Sequence, residues 1–415
     1  MSGPRRGDST ATHPFRLGRQ PPLDGLRAIA VLAVMAFHAE IQRLNVNGGY
    51  LGVDVFFVLS GFLITALLIE EREGTGRIRL GNFYMRRALR LLPALFLMLG
   101  ACAIFAALYP HQIENHTFGR DALGALFYAA NWVQVAVGHT EVRLLSHTWS
   151  LSVEEQFYLL WPIALIAMLH WHRSRRFILG VLIAAVVASF FWRWALLPTN
   201  GSAPVSPHLF VGLDTRGAGL LVGCIAGLLY SWRLLPKSER FISAMRPAAV
   251  LALAGIVFMF LGPWLSAAAI YAHPARLYLV GLPLLAVLVA VLIVAVVLAP
   301  DGAVARGMAL RPVAWIGRIS YGLYLWHYPI DRALRPGAHT LGLGHFELQV
   351  VRLVAAFGAA TLSFYLVEQP ILRLKRRYSA HTGTPPELPA VIDLTDAAAD
   401  AEALPRPVPA GAEGE

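Results

Sequence analysis

The sequence predicts an all-α polytopic membrane protein of about ten transmembrane helices, with both termini on the cytoplasmic side. Three observations carry that prediction. The 415 residues are 57% hydrophobic and only 14% charged, with a mean hydropathy of +0.57, too little polar surface to cover a water-soluble domain. Apolar runs such as "LLPALFLMLGACAIFAALYP" and "LYLVGLPLLAVLVAVLIVAVVLAP" recur, each near the roughly twenty residues that carry a helix across a bilayer. Basic residues collect in alternate connections, "HRSRR", "RLLPKSER" and "RLKRRY" among them, as the positive-inside rule requires of cytoplasmic loops. The alternation of a transmembrane β-barrel is not found.

In chain order, residues 1–22 are a polar, Arg-bearing cytoplasmic segment. The apolar run after it lacks a small-residue cleavage site and is expected to stay as the first helix rather than leave as a signal peptide. Spans are expected at 27–44, 50–71, 91–110, 150–170, 177–197, 209–230, 247–267, 277–298, 312–330 and 350–370. The stretch 118–138, "FGRDALGALFYAANWVQVAVG", is only moderately apolar. Counting it as an eleventh span inverts every later loop and divides Lys and Arg evenly between the two sides, whereas ten spans put a clear excess inside. It is therefore expected as a re-entrant or interfacial piece of a long outer loop, about 111–149. Residues 23–372 form the membrane domain, and 373–415, rich in Pro and Ala, a disordered cytoplasmic tail. Cys102 and Cys224 lie inside apolar runs and read as buried small hydrophobes, with no disulfide and no metal site implied. The formal net charge of +10 resides in loops flanking the spans, so no nucleic-acid partner is expected; the lipid bilayer is.

Ionisable residues at membrane depth are costly and usually face a bundle interior or a water-filled cavity. "LDGLRAIAVLAVMAFHAE" places Arg27 and His38 eleven residues apart, on one helical face and about 16 Å from each other. Asp54 enters the second span at the level of His38, and Gly52, Ser60 and Gly61 would let helices approach closely. In the fourth span His147, Ser150, Glu154 and Tyr158 follow a 3-4-4 spacing along one stripe, with Glu155 adjacent. Asp214 and Arg216 open the sixth, and Tyr321, Tyr324 and His327 approach the outer end of the ninth. The outer half thus gathers bases, acids and hydroxyls. Plainer roles exist for each: Arg27 as a snorkelling, orientation-setting residue, His38 as an interhelical hydrogen-bonder, and Ser152 with Glu155 as a capping box. Trp149, Trp161, Trp192, Trp194 and Trp326 read as packing or belt residues, and Arg86, Arg87 and Arg90 satisfy the positive-inside rule unaided.

The segment "LDGLRAIAVLAVMAFH", with ten residues between Arg27 and His38, resembles the R/K-x10-H signature of the acyltransferase 3 family of bacterial integral-membrane O-acyltransferases. "GGYLGVDVFFVLSGFLIT", "FYMRRALRLLPAL", "HTWSLSVEEQFYLLWP" and "SYGLYLWHYP" are similar to the family's other blocks, in the same order, from residue 23 to about 370. The resemblance implies a ten-helix core in the bacterial plasma membrane. It would move an acyl group, commonly acetyl, from cytoplasmic acyl-CoA to a hydroxyl, typically on a sugar. It also implies that Arg27 and His38 are the essential pair and that Arg86, Arg87 and Arg90 contact CoA. Two departures stand out. The sixth span has Ala218 and Gly219 where relatives carry an acid, and the closing block reads "VEQP", with Gln369 where an arginine is usual. An appended esterase-like domain, frequent in relatives, is not expected in the tail.

An alcohol is a weak nucleophile at neutral pH, and a neutral imidazole in a dry cavity can take its proton as it attacks a thioester, which is worth about 10² to 10⁴ in rate. His38 is expected in that role, with Glu154 orienting its ring and Asp54 as a further catalytic acid in the outer half. Arg27, Arg86, Arg87 and Arg90 are expected to hold the acyl-CoA donor, which is a substrate and not a resident cofactor. Glu155, His147, Asp214, Arg216, Tyr321 and His327 are expected around a carbohydrate or glycosylated acceptor. An acyl-His38 intermediate is the mechanistic alternative, and a glycoconjugate transporter or flippase, or a non-enzymatic assembly protein, the functional ones.

Overall fold

The computed structural model describes residues 15–40, 46–110, 115–138, 143–171, 174–198, 205–266, 272–335 and 344–373. The tail expected to be disordered lies almost wholly outside the described residues, as do parts of the long outer loop. No strand occurs among the described residues.

Helix α1 (Pro21–His38) starts on a proline pair, whose fixed φ suits a first turn and whose missing N–H would find no partner there. A single 3₁₀ turn, Gly49–Leu51, leads into α2 (Gly52–Thr75), which stops at Gly76 in the left-handed region, φ 76°. Then come α3 (Leu80–Leu108), α4 (Asn115–Leu126), α5 (Ala130–Val137), α6 (Trp149–Trp171) and α7 (Arg175–Leu196). The expected sixth span is broken into α8 (Pro207–Val211), α9 (Leu213–Arg216) and α10 (Ala218–Ser231). The chain continues through α11 (Glu239–Leu261), a π-turn at Arg276–Gly281, α12 (Leu282–Leu298), α13 (Ala303–Met308), α14 (Arg311–Arg318) and α15 (Ser320–Leu334). Finally α16 (His345–Leu362) runs through a second π-turn, Ser363–Glu368, into α17 (Gln369–Leu372).

Among the described residues seven helical stretches are long and apolar enough to cross a membrane: Gly49–Thr75, Leu80–Leu108, Ser146–Trp171, Arg175–Leu196, Glu239–Leu261, Arg276–Leu298 and His345–Leu372. This is a multi-pass membrane protein. The other three expected spans fall short for local reasons. Helix α1 has only 18 residues and carries Asp24, Arg27 and His38. The longest piece of the sixth span has 14 residues, and the ninth is interrupted at Ile319 between α14 and α15. The stretch 118–138 falls on α4 and α5, of 12 and 8 residues, split beside Tyr128 at φ 51°; neither is of a length that crosses a bilayer.

The centre is α2, whose apolar window is 83% buried, while α7, at 17%, turns most of its surface outward as lipid-facing helices do. Helices α2 and α10 touch backbone to backbone. A Cβ placed on Gly61 would sit 1.9 Å from the Leu220 carbonyl oxygen, and one on Gly223 2.0 Å from that of Val58. Only hydrogen fits at either point, which draws the two helices together where lipid offers no hydrophobic drive to do so. Both cysteines are buried and unpaired.

Candidate active site

Helix α1 delivers His38 in its last turn against two aromatic residues of α15. His327 lies with Nε2 3.2 Å from His38 Nδ1, and the Tyr328 ring meets His38 edge-on at 4.9 Å between centroids. Protonation follows from the partners. Nδ1 of His327 is 3.1 Å from the Leu323 carbonyl oxygen and 2.7 Å from that of Tyr324, and carbonyls only accept, so that nitrogen carries the hydrogen. Nε2 of a neutral His327 is then a lone pair, and the contact it makes needs a donor, which fixes the hydrogen of His38 on Nδ1. The basic nitrogen of His38 is left as Nε2. His147, from the 3₁₀ turn before α6, stacks on Tyr328 at 5.0 Å. His147 and His327 are buried, whereas His38 keeps partial exposure. The three rings do not converge on a common point, and among the described residues no group is arranged to hold a metal ion.

A charged frame that the sequence reading overlooked secures this end of α1. Arg335 Nη2 donates to the His38 carbonyl at 3.3 Å, and Gln349 Nε2 to those of Ala39 and Glu40 at 3.2 and 3.0 Å. They cap carbonyls that the helix itself leaves without partners. Arg335 also pairs with Glu40 at 2.7 Å, and the buried Asp331 binds Arg335 at 3.1 Å and Arg352 at 3.0 Å. Arg332 lies over Tyr328, 4.9 Å from the ring centroid. One signal was available: Asp331 is the single acid of a largely apolar and aromatic helix, α15.

Tyr324 also lines a cavity that none of the three imidazoles lines. Arg27, Arg87 and Arg90 line it together with Ser60, Glu154 and Glu155, and Tyr128, Tyr158 and Tyr321 contribute hydroxyl-bearing walls. Arg87 Nη2 binds Glu155 Oε1 at 2.8 Å while its guanidinium stacks 3.3 Å from the Tyr158 centroid. Glu154 Oε1 accepts from Tyr158, at 2.7 Å, and from Ser60. Glu154 thus makes its hydrogen bonds in a cavity that His38 does not line, and the ring expected to lean on Glu154 leans on His327. Arg27 is paired with Asp24 at 3.3 Å, and Tyr321 donates to the Leu91 carbonyl at 2.9 Å. Arg90 makes no hydrogen bond or ion pair with the described residues. Arg86 faces elsewhere, bound to Glu71 at 2.8 Å. The capping-box reading of Ser152 and Glu155 is overturned. α6 already starts at Trp149, Ser152 Oγ bonds to the Thr148 carbonyl at 3.1 Å, and Glu155 belongs to Arg87.

Tyr324 takes part in both compartments. Its hydroxyl is 2.5 Å from Ser150 Oγ and 3.0 Å from the His147 carbonyl oxygen, with Ser150 and Tyr324 both lining the cavity. The Tyr324 ring lies 5.4 Å from His327 and 5.7 Å from His147. Asp54 and Arg216 are joined to each other rather than to His38. Their buried ion pair is 2.8 Å long, and the guanidinium faces Trp149 and Phe210 at 5.4 and 5.7 Å. Asp214 is on the exposed side of α9, held by His208 at 2.9 Å and by the Trp192 indole N–H at 2.6 Å.

Helices long and apolar enough to cross a membrane thus surround polar groups, arginines lining one compartment and imidazoles gathered in the other. The chain belongs to the acyltransferase 3 family, whose acyltransferase domain matches residues 21–343. It is similar to the peptidoglycan O-acetyltransferase OatA of Listeria monocytogenes, 34% identical over 358 residues that make up 85% of this chain and 55% of that protein. It is also similar to the O-acetyltransferase OatA of Staphylococcus aureus, 30% identical over 363 residues, 85% of this chain and 57% of that protein. The chain spans little more than half the length of these relatives. No solved structure matches it.

Proposed function

We propose that this chain is an O-acetyltransferase of the bacterial plasma membrane, moving an acetyl group from cytoplasmic acyl-CoA to a hydroxyl of a carbohydrate acceptor on the outer side. The observation that carries it is the Nε2 of His38, left unprotonated by the His327 contact on a ring that is only partly buried. The relatives' names support acetyl as the group and a glycan as the acceptor. Ten spans with cytoplasmic termini are supported by the three shorter helical passes, α1, α8 to α10, and α14 to α15, added to the seven longer ones. Broken helices at membrane depth are tolerated where they are buried in protein or line a cavity.

Arg27, Arg87 and Arg90 hold the donor's phosphates and pantetheine, and Glu154 and Glu155 shape that cavity rather than steer the base. The Tyr324–Ser150 pair must part for the thioester to meet His38. Nε2 then takes the acceptor's hydroxyl proton as the oxygen attacks the thioester carbonyl. The C–S bond breaks, and the imidazolium returns the proton to the departing CoA thiolate. His327 acts as a positioning residue and Asp54 through its pair with Arg216. Protein in proteoliposomes given labelled acetyl-CoA and muramoyl-glycan fragments should label the glycan, and His38→Ala should abolish transfer while still inserting. Full activity of that variant would remove the assignment. Stoichiometric, His38-dependent label on the chain without acceptor would replace the general base by an acyl-imidazole.

A further inference from the structure

Two tryptophans are held in a way that a lipid belt does not need. Trp192, near the end of α7, donates its indole N–H to Asp214 Oδ2 at 2.6 Å, and Trp132 of α5 donates its own to Gln156 at 3.2 Å. In a belt that N–H faces the wet side. Here both are spent on protein partners while the residues stay 45% and 42% exposed, so what they offer outward is ring. His208 of α8 neighbours both, with ring centroids 5.9 Å from Trp132 and 6.5 Å from Trp192. Its Nε2 faces the two Asp214 oxygens at 3.0 and 2.9 Å. A carboxylate has about four acceptor sites, and the Asp214 side chain is 40% exposed, which leaves it capacity toward solvent.

The arrangement is pinned from below. Asn131, fully buried, donates to the Val211 carbonyl at 3.4 Å and accepts from Gln156 at 2.9 Å, which ties α5 to α8 and α6. The Thr215 hydroxyl bonds the His208 and Gly212 carbonyls at 3.1 and 3.0 Å. Gly212 has no room for a side chain, since a Cβ there would stand 2.6 Å from both Asp214 Oδ1 and His208 Cδ2. Gln134, also on α5, donates to the Ser146 carbonyl at 2.9 Å, one residue before His147, so the platform belongs to the imidazole side of the molecule. Trp192 and Asp214 also rim an open cleft of about 540 Å³ between α7 and α10. Fixed indole faces beside a carboxylate with spare acceptor sites suit a pyranose ring: its C–H side packs on an indole, and neighbouring hydroxyls donate to the carboxylate. We propose that Trp132, Trp192, His208 and Asp214 form a saccharide subsite, which holds a sugar unit of the acceptor glycan other than the one whose hydroxyl meets His38. This rests on the reading of the chain as a carbohydrate O-acetyltransferase and gives the glycan a second point of contact.

Full-length protein in phosphatidylcholine nanodiscs is titrated calorimetrically with muramoyl-glycan fragments in the absence of acyl-CoA, so that binding is read whether or not the chain acetylates them. Asp214→Asn, which keeps the size of the side chain, should weaken binding about tenfold or more. Trp132→Ala should weaken it roughly two- to tenfold, and Trp132→Phe, which keeps an aromatic face, should recover part of that. In the transfer assay the same variants should raise the KM for the glycan and not that for acetyl-CoA. No glycan binding by the wild type, or undiminished binding by both Asp214→Asn and Trp132→Ala, overturns the subsite and returns the tryptophans to a lipid belt, even if acetyl transfer is observed. Glycan binding that these variants lose, in a protein that transfers no acetyl group, would sustain the subsite and overturn the transferase reading instead.

Discussion

Replacing His327 by alanine separates the geometry described here from the expectation that Glu154 orients the catalytic ring. Among the described residues His327 is the side chain that hydrogen-bonds the His38 ring, at 3.2 Å. Its loss removes one neutral hydrogen bond, about 0.5–1.5 kcal/mol, and with it the bias that keeps the proton on Nδ1. At about 1.4 kcal/mol per tenfold, that is a fall in kcat of roughly two- to tenfold. A general base as a whole is worth about 10² to 10⁴, so His38→Ala should fall much further. The KM for acyl-CoA should not move, because the arginines proposed to hold the donor line a cavity that His327 does not line. His327→Gln can offer a carbonyl oxygen to the same N–H and should recover part of kcat. The assay is the initial rate of acetyl transfer at varied acetyl-CoA, on variants whose insertion has been checked. Glu154→Gln in parallel should shift donor KM more than kcat. The reasoning is refuted if His327→Ala keeps full kcat, or if Glu154→Gln lowers kcat as far as His327→Ala does.

Arg90→Gln should raise the KM for acyl-CoA about tenfold or more through loss of a charge-assisted contact, while Arg86→Gln, whose arginine is bound to Glu71, leaves donor kinetics unchanged; equal effects would contradict the cavity assignment. Gly223→Leu forces a side chain into the space 2.0 Å from the Val58 carbonyl and should lower the melting temperature by an overpacking penalty of about 1–3 kcal/mol. Gly219→Ala is its control, since a Cβ there finds Phe57 at an ordinary 3.5 Å and thermal unfolding should change little. A reporter inserted at 171–176 should read cytoplasmic and one at 198–207 external; the reverse pair would mean that 118–138 crosses the membrane.

How far the sequence reached depends on whether the information was local. The apolar runs and the spacing of Arg27 and His38 are properties of single helices, so the all-α class and the two-ended α1 were readable without coordinates. The grouping of Arg27, Arg87 and Arg90 around one cavity was implied only by the family resemblance, since the positive-inside rule explained the last two without it. Partner choice was not local. His38 and His327 are 289 positions apart, and which acid or imidazole leans on which ring is set by rotation of whole helices about their axes. The backbone contact of Gly61 with Leu220 and of Gly223 with Val58 fixes that rotation for α2 and α10. It leaves Ser60, next to Gly61, facing the cavity, where it meets Glu154. The short spans were expected at 27–44, 209–230 and 312–330, but their breaks were not readable, because a helix that lines a polar interior needs neither full length nor full hydropathy. The features hardest to read from sequence are therefore those that make the interior polar: a broken sixth span carrying Arg216, an interrupted ninth carrying His327, and a first helix ending on the ring whose Nε2 is left unprotonated.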